Sequence, residues 1–131
     1  MGRTDNGLTR ALMWLGAVLV LVSGIEHLHL WDIAYRHVAT IGPLFIVQGI
    51  VSILLAVVLA VGRRFFLVLA GMALMVGTIV GFVLALTTGL FGFTLPSISN
   101  LAWFTLAVEI TAVLVLAVTA WQMWLEQPRA H

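Results

Sequence analysis

The sequence contains no cysteine and no lysine, and only 8% of its 131 residues are charged. The absence of cysteine excludes disulfides, iron–sulfur clusters and metal sites built from thiolates. A soluble domain carries about 25% charged residues, so a chain with this few charges could not cover the surface of a water-soluble fold. The basic residues form no patch of the kind that nucleic-acid binding needs, and no nucleic-acid partner is expected. Composition therefore predicts a single transmembrane domain over residues 1–131, with the lipid bilayer as its first partner.

In place of charge the chain has long apolar segments, each able to span a hydrocarbon core of roughly 30 Å. They cover approximately residues 9–31, 40–61, 65–88 and 99–124. Gly62, Arg63 and Arg64 form a tight charged turn between the second and third segments. Residues 89–100, GLFGFTLPSISN, form a loop rich in Gly, Pro and Ser before the fourth. The sequence therefore predicts an all-α fold, an integral membrane four-helix bundle.

The arginines predict the orientation of the bundle. One end holds Arg3, Arg10, Arg63, Arg64 and Arg129. The opposite end holds only Arg36, whose charge is offset by Glu26 and Asp32. Since loops rich in arginine and lysine stay on the inner side of a membrane, we predict that the N- and C-termini are both cytoplasmic.

Residues 25–37, IEHLHLWDIAYRH, contain three of the chain's four histidines. The apolar run before them, from Ala11 to Ile25, has 15 residues and reaches only about 22 Å along a helix. The first helix therefore needs the following residues to complete its crossing. Glu26, His27 and His29 are expected in the outer layer of the membrane, where ionisable groups usually face a bundle interior or a wet cavity.

Small and polar residues mark the helix faces that are expected to meet. His27 lies on one face with Ser23 and Gly16, and such a stripe is typical of helix–helix contacts in lipid. The third helix has Gly77 and Gly81 in GTIVG, a pattern that predicts close approach of a neighbouring helix.

Buried polar groups at similar depths predict a pocket that is open to the outside. Glu109 lies about nine residues, or 14 Å, from the outer start of the fourth helix. Gln48 lies about eight residues from the outer start of the second. With Ser23 and His27 of the first helix, they would form an outward-facing polar pocket for a ligand or a proton. A histidine within reach of a carboxylate is suited to proton transfer near neutral pH.

Metal ligation is an alternative use of the polar residues around the end of the first helix. Imidazole and carboxylate groups suit zinc, copper or iron, and Glu26, His27, His29 and His37 supply both. Glu26 and His29 also have the Glu-x-x-His spacing of di-iron bundles, which need a second such motif that this sequence lacks. A haem held by two histidines would require His37 to fold back. The cofactor therefore stays unknown, with haem and a single transition metal as the options.

Four stretches follow one another in a distinctive order: GIEHLHLW at 24–31, YRHVATIGPLFIVQ at 35–48, GLFGF at 89–93 and AVEI at 107–110. This order resembles a set of uncharacterised small four-helix integral membrane proteins from high-GC Gram-positive bacteria, over most of the chain. The resemblance associates His27, residues 41–45 and Glu109 with the shared pattern. It implies a multi-pass protein of the bacterial cytoplasmic membrane, and it brings no activity, substrate or cofactor with it.

Three classes of function fit these observations. The first is a membrane protein whose pocket binds a small ligand, a metal or haem, or a proton. The second is a non-catalytic accessory subunit of a larger membrane redox or transport complex, because a chain of this length has no soluble domain for chemistry. The third is a small homo-oligomeric exporter or channel, although small multidrug exporters carry their glutamate in the first helix. Without a nucleophile motif, a phosphate loop or a complete metal signature, an enzyme acting on soluble substrates is the least expected class.

Overall fold

The computed structural model of the protein describes residues 7–95 and 97–127. Their helices are α1 (Gly7–Leu30), α2 (Ile41–Gly62), α3 (Phe65–Leu86) and α4 (Asn100–Glu126). These helices confirm the predicted all-α architecture of four long segments. Each is long and apolar enough to cross a membrane. Two of the arginines used to predict the orientation, Arg3 and Arg129, lie outside the described residues.

The connections between the helices explain where each helix begins and ends. Arg63 has a left-handed backbone with φ of 50°, and its N–H donates to the Leu59 carbonyl, which ends α2 at the predicted charged turn. Ser99 caps α4, because its side-chain oxygen accepts a hydrogen bond of 3.1 Å from the Ala102 N–H. The first helix differs from the prediction in continuing past Leu30 as a π-helical segment, Trp31–Tyr35.

The helices pack around α1, which contacts α2 along one side and α4 along the other, while α3 packs mainly against α4. Short connections make consecutive helices antiparallel neighbours. The two adjacent helices that touch least are α2 and α3. The buried apolar core includes Met13, Val20, Leu59, Val68, Met75 and Leu116. Most of it lies toward the end of the bundle where the tight turn joins α2 to α3.

Close helix contacts occur at glycines of α1 and α2. A Cβ atom added at Gly24 would lie 2.9 Å from the Gly49 carbonyl oxygen, so α1 and α2 approach each other backbone to backbone. The prediction of close approach at Gly77 and Gly81 was wrong for Gly77. A Cβ at Gly77 would meet no atom within 4 Å, and one at Gly81 would lie 3.6 Å from a Leu90 methyl group. Gly77 therefore faces open space, whereas Gly81 lies in ordinary van der Waals contact with Leu90 of the α3–α4 connection.

Candidate functional site

A cavity of about 350 Å³ lies in the half of the bundle that holds the α1–α2 and α3–α4 connections. All four helices contribute to its wall, and most of the lining side chains are apolar. Its polar groups come mainly from His27, Gln48, Thr78 and Glu109, one on each helix. A largely apolar cavity with a few convergent polar groups is the usual form of a small-molecule site.

Glu109 is the centre of the polar end of the cavity. It projects from α4 about 14 Å from the helix start at Asn100, and only 2% of its surface is exposed. The Ser23 hydroxyl of α1 donates to Glu109 Oε2 at 3.2 Å. The Nε2 atom of His27 lies 3.7 Å from the same oxygen. A buried carboxyl group thus has two polar partners on α1, on the face that the sequence predicted.

The protonation of His27 follows from its contacts. Its Nδ1 atom lies 2.8 Å from the backbone carbonyl oxygen of Ser23, which can only accept a hydrogen bond, so Nδ1 carries a proton. The Nε2 atom then faces Glu109 either as a lone pair toward a protonated carboxyl group or as an N–H toward a carboxylate. At 3.7 Å the two atoms are within ion-pair distance but too far apart for a direct hydrogen bond. Proton transfer between them would need a closer approach or one bridging water.

Gln48 extends the network to the other two helices. Its Nε2 atom donates to Ser23 Oγ at 3.2 Å and to Thr78 Oγ1 of α3 at 3.3 Å. The Thr78 hydroxyl donates in turn to the Leu74 carbonyl of its own helix at 2.8 Å. A continuous set of hydrogen bonds therefore links α3, α2, α1 and α4.

Thr78 is the member of this network that the sequence analysis missed. It lies eight residues before the end of α3 at Leu86, or about 12 Å deep, which is close to the depth of Gln48. The same reasoning from depth would have found it if hydroxyl groups had been considered together with titratable ones.

Aromatic rings continue from the polar pair toward the end of the bundle. The Phe45 ring lies 5.0 Å from the His27 ring and 4.6 Å from the Tyr35 ring. Tyr35, placed by the π-helical segment, meets Phe93 of the α3–α4 connection edge-on at 5.6 Å. That connection is fixed to α3 by a 2.8 Å hydrogen bond from the Leu95 N–H to the Ala85 carbonyl. The connection therefore folds over this end of the cavity.

The four metal-ligand candidates are spread over different environments. His27 is buried in the cavity wall, His29 and His37 are exposed, and Glu26 is partly buried. One oxygen of Glu26, Oε1, is buried without a hydrogen-bond partner. Within residues 7–95 and 97–127, no three His, Cys, Asp or Glu side chains lie together as a metal site would require. Metal or haem binding at these residues stays a prediction.

The fold and the site define a bundle of four helices of membrane-spanning length and composition around a cavity with a buried carboxyl–imidazole pair. Comparisons of the chain with protein-family profiles, with curated proteins and with solved structures gave no match. The resemblance to four-helix proteins of high-GC Gram-positive bacteria therefore stays a prediction.

Proposed function

We propose that the protein is a multi-pass protein of the bacterial cytoplasmic membrane that binds a small ligand in this cavity and exchanges a proton through Glu109 and His27. One observation carries the proposal. The most buried carboxyl group of the described chain lies at the polar end of a cavity of about 350 Å³, with the Nε2 atom of a buried imidazole 3.7 Å from one of its oxygens. Ionisable groups inside a membrane are costly, and they usually mark a ligand or proton path.

The outer surface of the bundle supports the proposed location in a membrane. Large apolar side chains are exposed on every helix, including Trp14, Leu54, Phe66 and Leu114 at more than half of their surface. A soluble monomer rarely exposes so much apolar surface, whereas lipid tails would cover it. Arg10, Arg63 and Arg64 lie at the end opposite the cavity, so the cavity would face outward and the termini would be cytoplasmic.

Native mass spectrometry of the protein, extracted gently from the membranes of its expression host, tests the proposal. We expect the wild-type protein to retain a small molecule. The Gly77→Leu variant should lose it, because this side chain would extend into the cavity without meeting an atom near its Cβ. Val76→Leu is the matched control, since Val76 is 44% exposed and is not part of the cavity wall. This control should retain the same mass as the wild type.

Retention of the molecule by Gly77→Leu would show that it binds elsewhere, and the cavity would no longer explain its presence. Isolation of every variant in a complex with other chains at fixed ratio would instead support an accessory subunit. Isolation as a symmetric homo-oligomer without a bound molecule would favour the exporter or channel. Each of these outcomes contradicts the proposal in a different way.

A further inference from the structure

The polar end of the cavity presents oxygen atoms that have no partner within the described protein. Both contacts of Glu109 fall on Oε2, and Oε1 takes part in no hydrogen bond. Gln48 uses its amide nitrogen twice, and its Oε1 atom is buried without a hydrogen-bond partner. The two side chains lie on either side of the Ser23 hydroxyl, which hydrogen-bonds to both. Glu109 Oε1 is thus an acceptor without a partner that the cavity wall offers to a ligand, whereas Gln48 Oε1 is covered by the atoms around it.

The hydrogen-bond donors at the same end are already in use. The hydroxyls of Ser23 and Thr78 donate to Glu109 and to a backbone carbonyl, respectively. The two N–H groups of Gln48 Nε2 and the Nδ1–H of His27 also have acceptors within the protein. A ligand that offers only acceptors, such as a quinone, would find the proton of Glu109 or of His27 Nε2 but no other free donor among these side chains. A ligand that brings its own N–H groups would donate to Glu109 Oε1.

The charged and aromatic groups around the cavity favour a cationic ligand. No arginine of the described chain lines the cavity, while a carboxyl group does, so an anionic ligand would meet repulsion without compensation. The rings of Phe45, Tyr35 and Phe93 form part of the wall, and aromatic faces attract cations. The ligand charge that fits this wall is positive.

The opening of the cavity favours a ligand with an apolar body. Ala73 and Gly77 of α3 line the cavity and are nevertheless exposed, and Leu44 of α2 is 40% exposed. Exposed lining residues on both α2 and α3, the adjacent helices that touch least, favour an opening of the cavity between these two helices. In a membrane this gap faces lipid. A molecule dissolved in the bilayer would reach Glu109 without crossing the α3–α4 connection.

From these observations we infer that the cavity takes an amphipathic amine, a molecule with an apolar body and a protonatable nitrogen that Glu109 recognises through its N–H groups. The inference rests on the proposed function and names its ligand class. A neutral amine arriving from the bilayer takes the proton that Glu109 or His27 Nε2 carries. Its nitrogen lone pair forms the new N–H bond as the bond to oxygen or Nε2 breaks. The products are an ammonium group, a carboxylate and a neutral imidazole.

Titration of the protein in lipid nanodiscs with four probes that share a phenylbutyl body tests the inference. The probes are phenylbutylamine, its trimethylammonium analogue, phenylbutanol and phenylbutyrate, and calorimetry with empty nanodiscs corrects for partition into lipid. We expect the amine to bind tighter than the alcohol by about tenfold or more, the usual gain for a hydrogen bond to a charged group. The trimethylammonium probe, which lacks N–H groups, should bind more weakly than the amine, and phenylbutyrate should bind weakest.

Glu109→Gln separates recognition from folding. This variant should lower the affinity for phenylbutylamine by about tenfold, because the ion pair is lost. It should lower the affinity for phenylbutanol much less, and continued binding of the alcohol would show that the cavity is still formed. Gly77→Leu should abolish binding of both probes.

The possible failures point to different errors. Equal binding of amine and alcohol that is insensitive to Glu109→Gln but blocked by Gly77→Leu would overturn the amine inference and leave the proposed binding function intact. Tightest binding of phenylbutyrate would overturn the assignment of charge. Equal affinities for phenylbutylamine and its trimethylammonium analogue would overturn recognition through N–H groups. If the wild-type protein binds none of the four probes, the amine inference fails, and the mass-spectrometric result alone decides the proposed function.

Discussion

Near the turn that joins α2 and α3 the helices fill their shared interior with apolar side chains, whereas at the opposite end they surround a cavity with a polar wall. In the first region Leu116 fits between Gly16 of α1 and Gly71 of α3, where added Cβ atoms would lie 2.6 Å and 3.1 Å from its methyl groups. In the second region Gly77 has no neighbour within 4 Å. The same residue type thus allows close packing at one level of the bundle and leaves open space at another.

The difference shows how close packing and hydrogen bonding are divided along the helices. Lipid is as apolar as leucine, so transmembrane helices associate through close packing and interhelical hydrogen bonds rather than through a hydrophobic driving force. The filled region supplies the packing. The hydrogen-bonded network then holds the cavity region together although α2 and α3 separate there.

The largest difference between the two regions should appear when a leucine is shortened. Leu116→Ala removes a fully buried side chain and should lower the free energy of unfolding by about 2–5 kcal/mol. Leu44→Ala, in the partly exposed cavity wall, should cost about 0.5 kcal/mol or less. Unfolding from mild detergent by titration with sodium dodecyl sulfate measures both. Similar losses for the two variants would mean that the cavity wall is as closely packed as the core.

Adding a methyl group at a glycine should change the free energy of unfolding less than Leu116→Ala does. The change should have opposite signs at a closely packed glycine and at a glycine with open space beside it. Gly24→Ala places a Cβ atom 2.9 Å from a backbone oxygen of α2 and should cost about 1–3 kcal/mol, because backbone cannot move aside easily. Gly77→Ala meets no atom and should stabilise α3 by about 0.5–1 kcal/mol, through the higher helix propensity of alanine. The same detergent titration measures both variants. A loss of stability in Gly77→Ala would argue that α3 packs against a neighbour at this point.

Much of the fold was predictable from the sequence, because four long apolar segments and a Gly-Arg-Arg turn leave few other arrangements. Depth along each helix and helical periodicity also selected Ser23, His27, Gln48 and Glu109, which the structure brings into one network. Periodicity identifies a face but does not identify what lies opposite it. The glycine stripe of α3 was therefore assigned to close packing, although it forms part of the cavity wall.

The smallest losses of unfolding free energy should come from removing single hydrogen bonds of the network. The ratio of these losses tests which helices the network connects. Ser23→Ala removes the interhelical bonds to Gln48 and Glu109. Thr78→Val keeps the shape of the side chain and removes one interhelical bond, from Gln48, together with the bond to the Leu74 carbonyl of its own helix. Interhelical hydrogen bonds in membranes average about 0.6 kcal/mol each, so the expected losses are about 1.2 kcal/mol for Ser23→Ala and 0.6 kcal/mol for Thr78→Val. Detergent titration of the single and double variants measures these losses.

Thr111→Val is the matched control for these variants, because the Thr111 hydroxyl bonds only to the Ala107 carbonyl of its own helix and is exposed. It should leave the free energy of unfolding unchanged within error. If the Thr78→Val loss equals that of this control, α3 is not tied to α2 through Gln48. The double variant Ser23→Ala with Thr78→Val removes both partners of the Gln48 nitrogen and leaves a buried donor unpaired. Its loss should therefore exceed the sum of the two single losses, because an unsatisfied buried donor costs more than a missing bond.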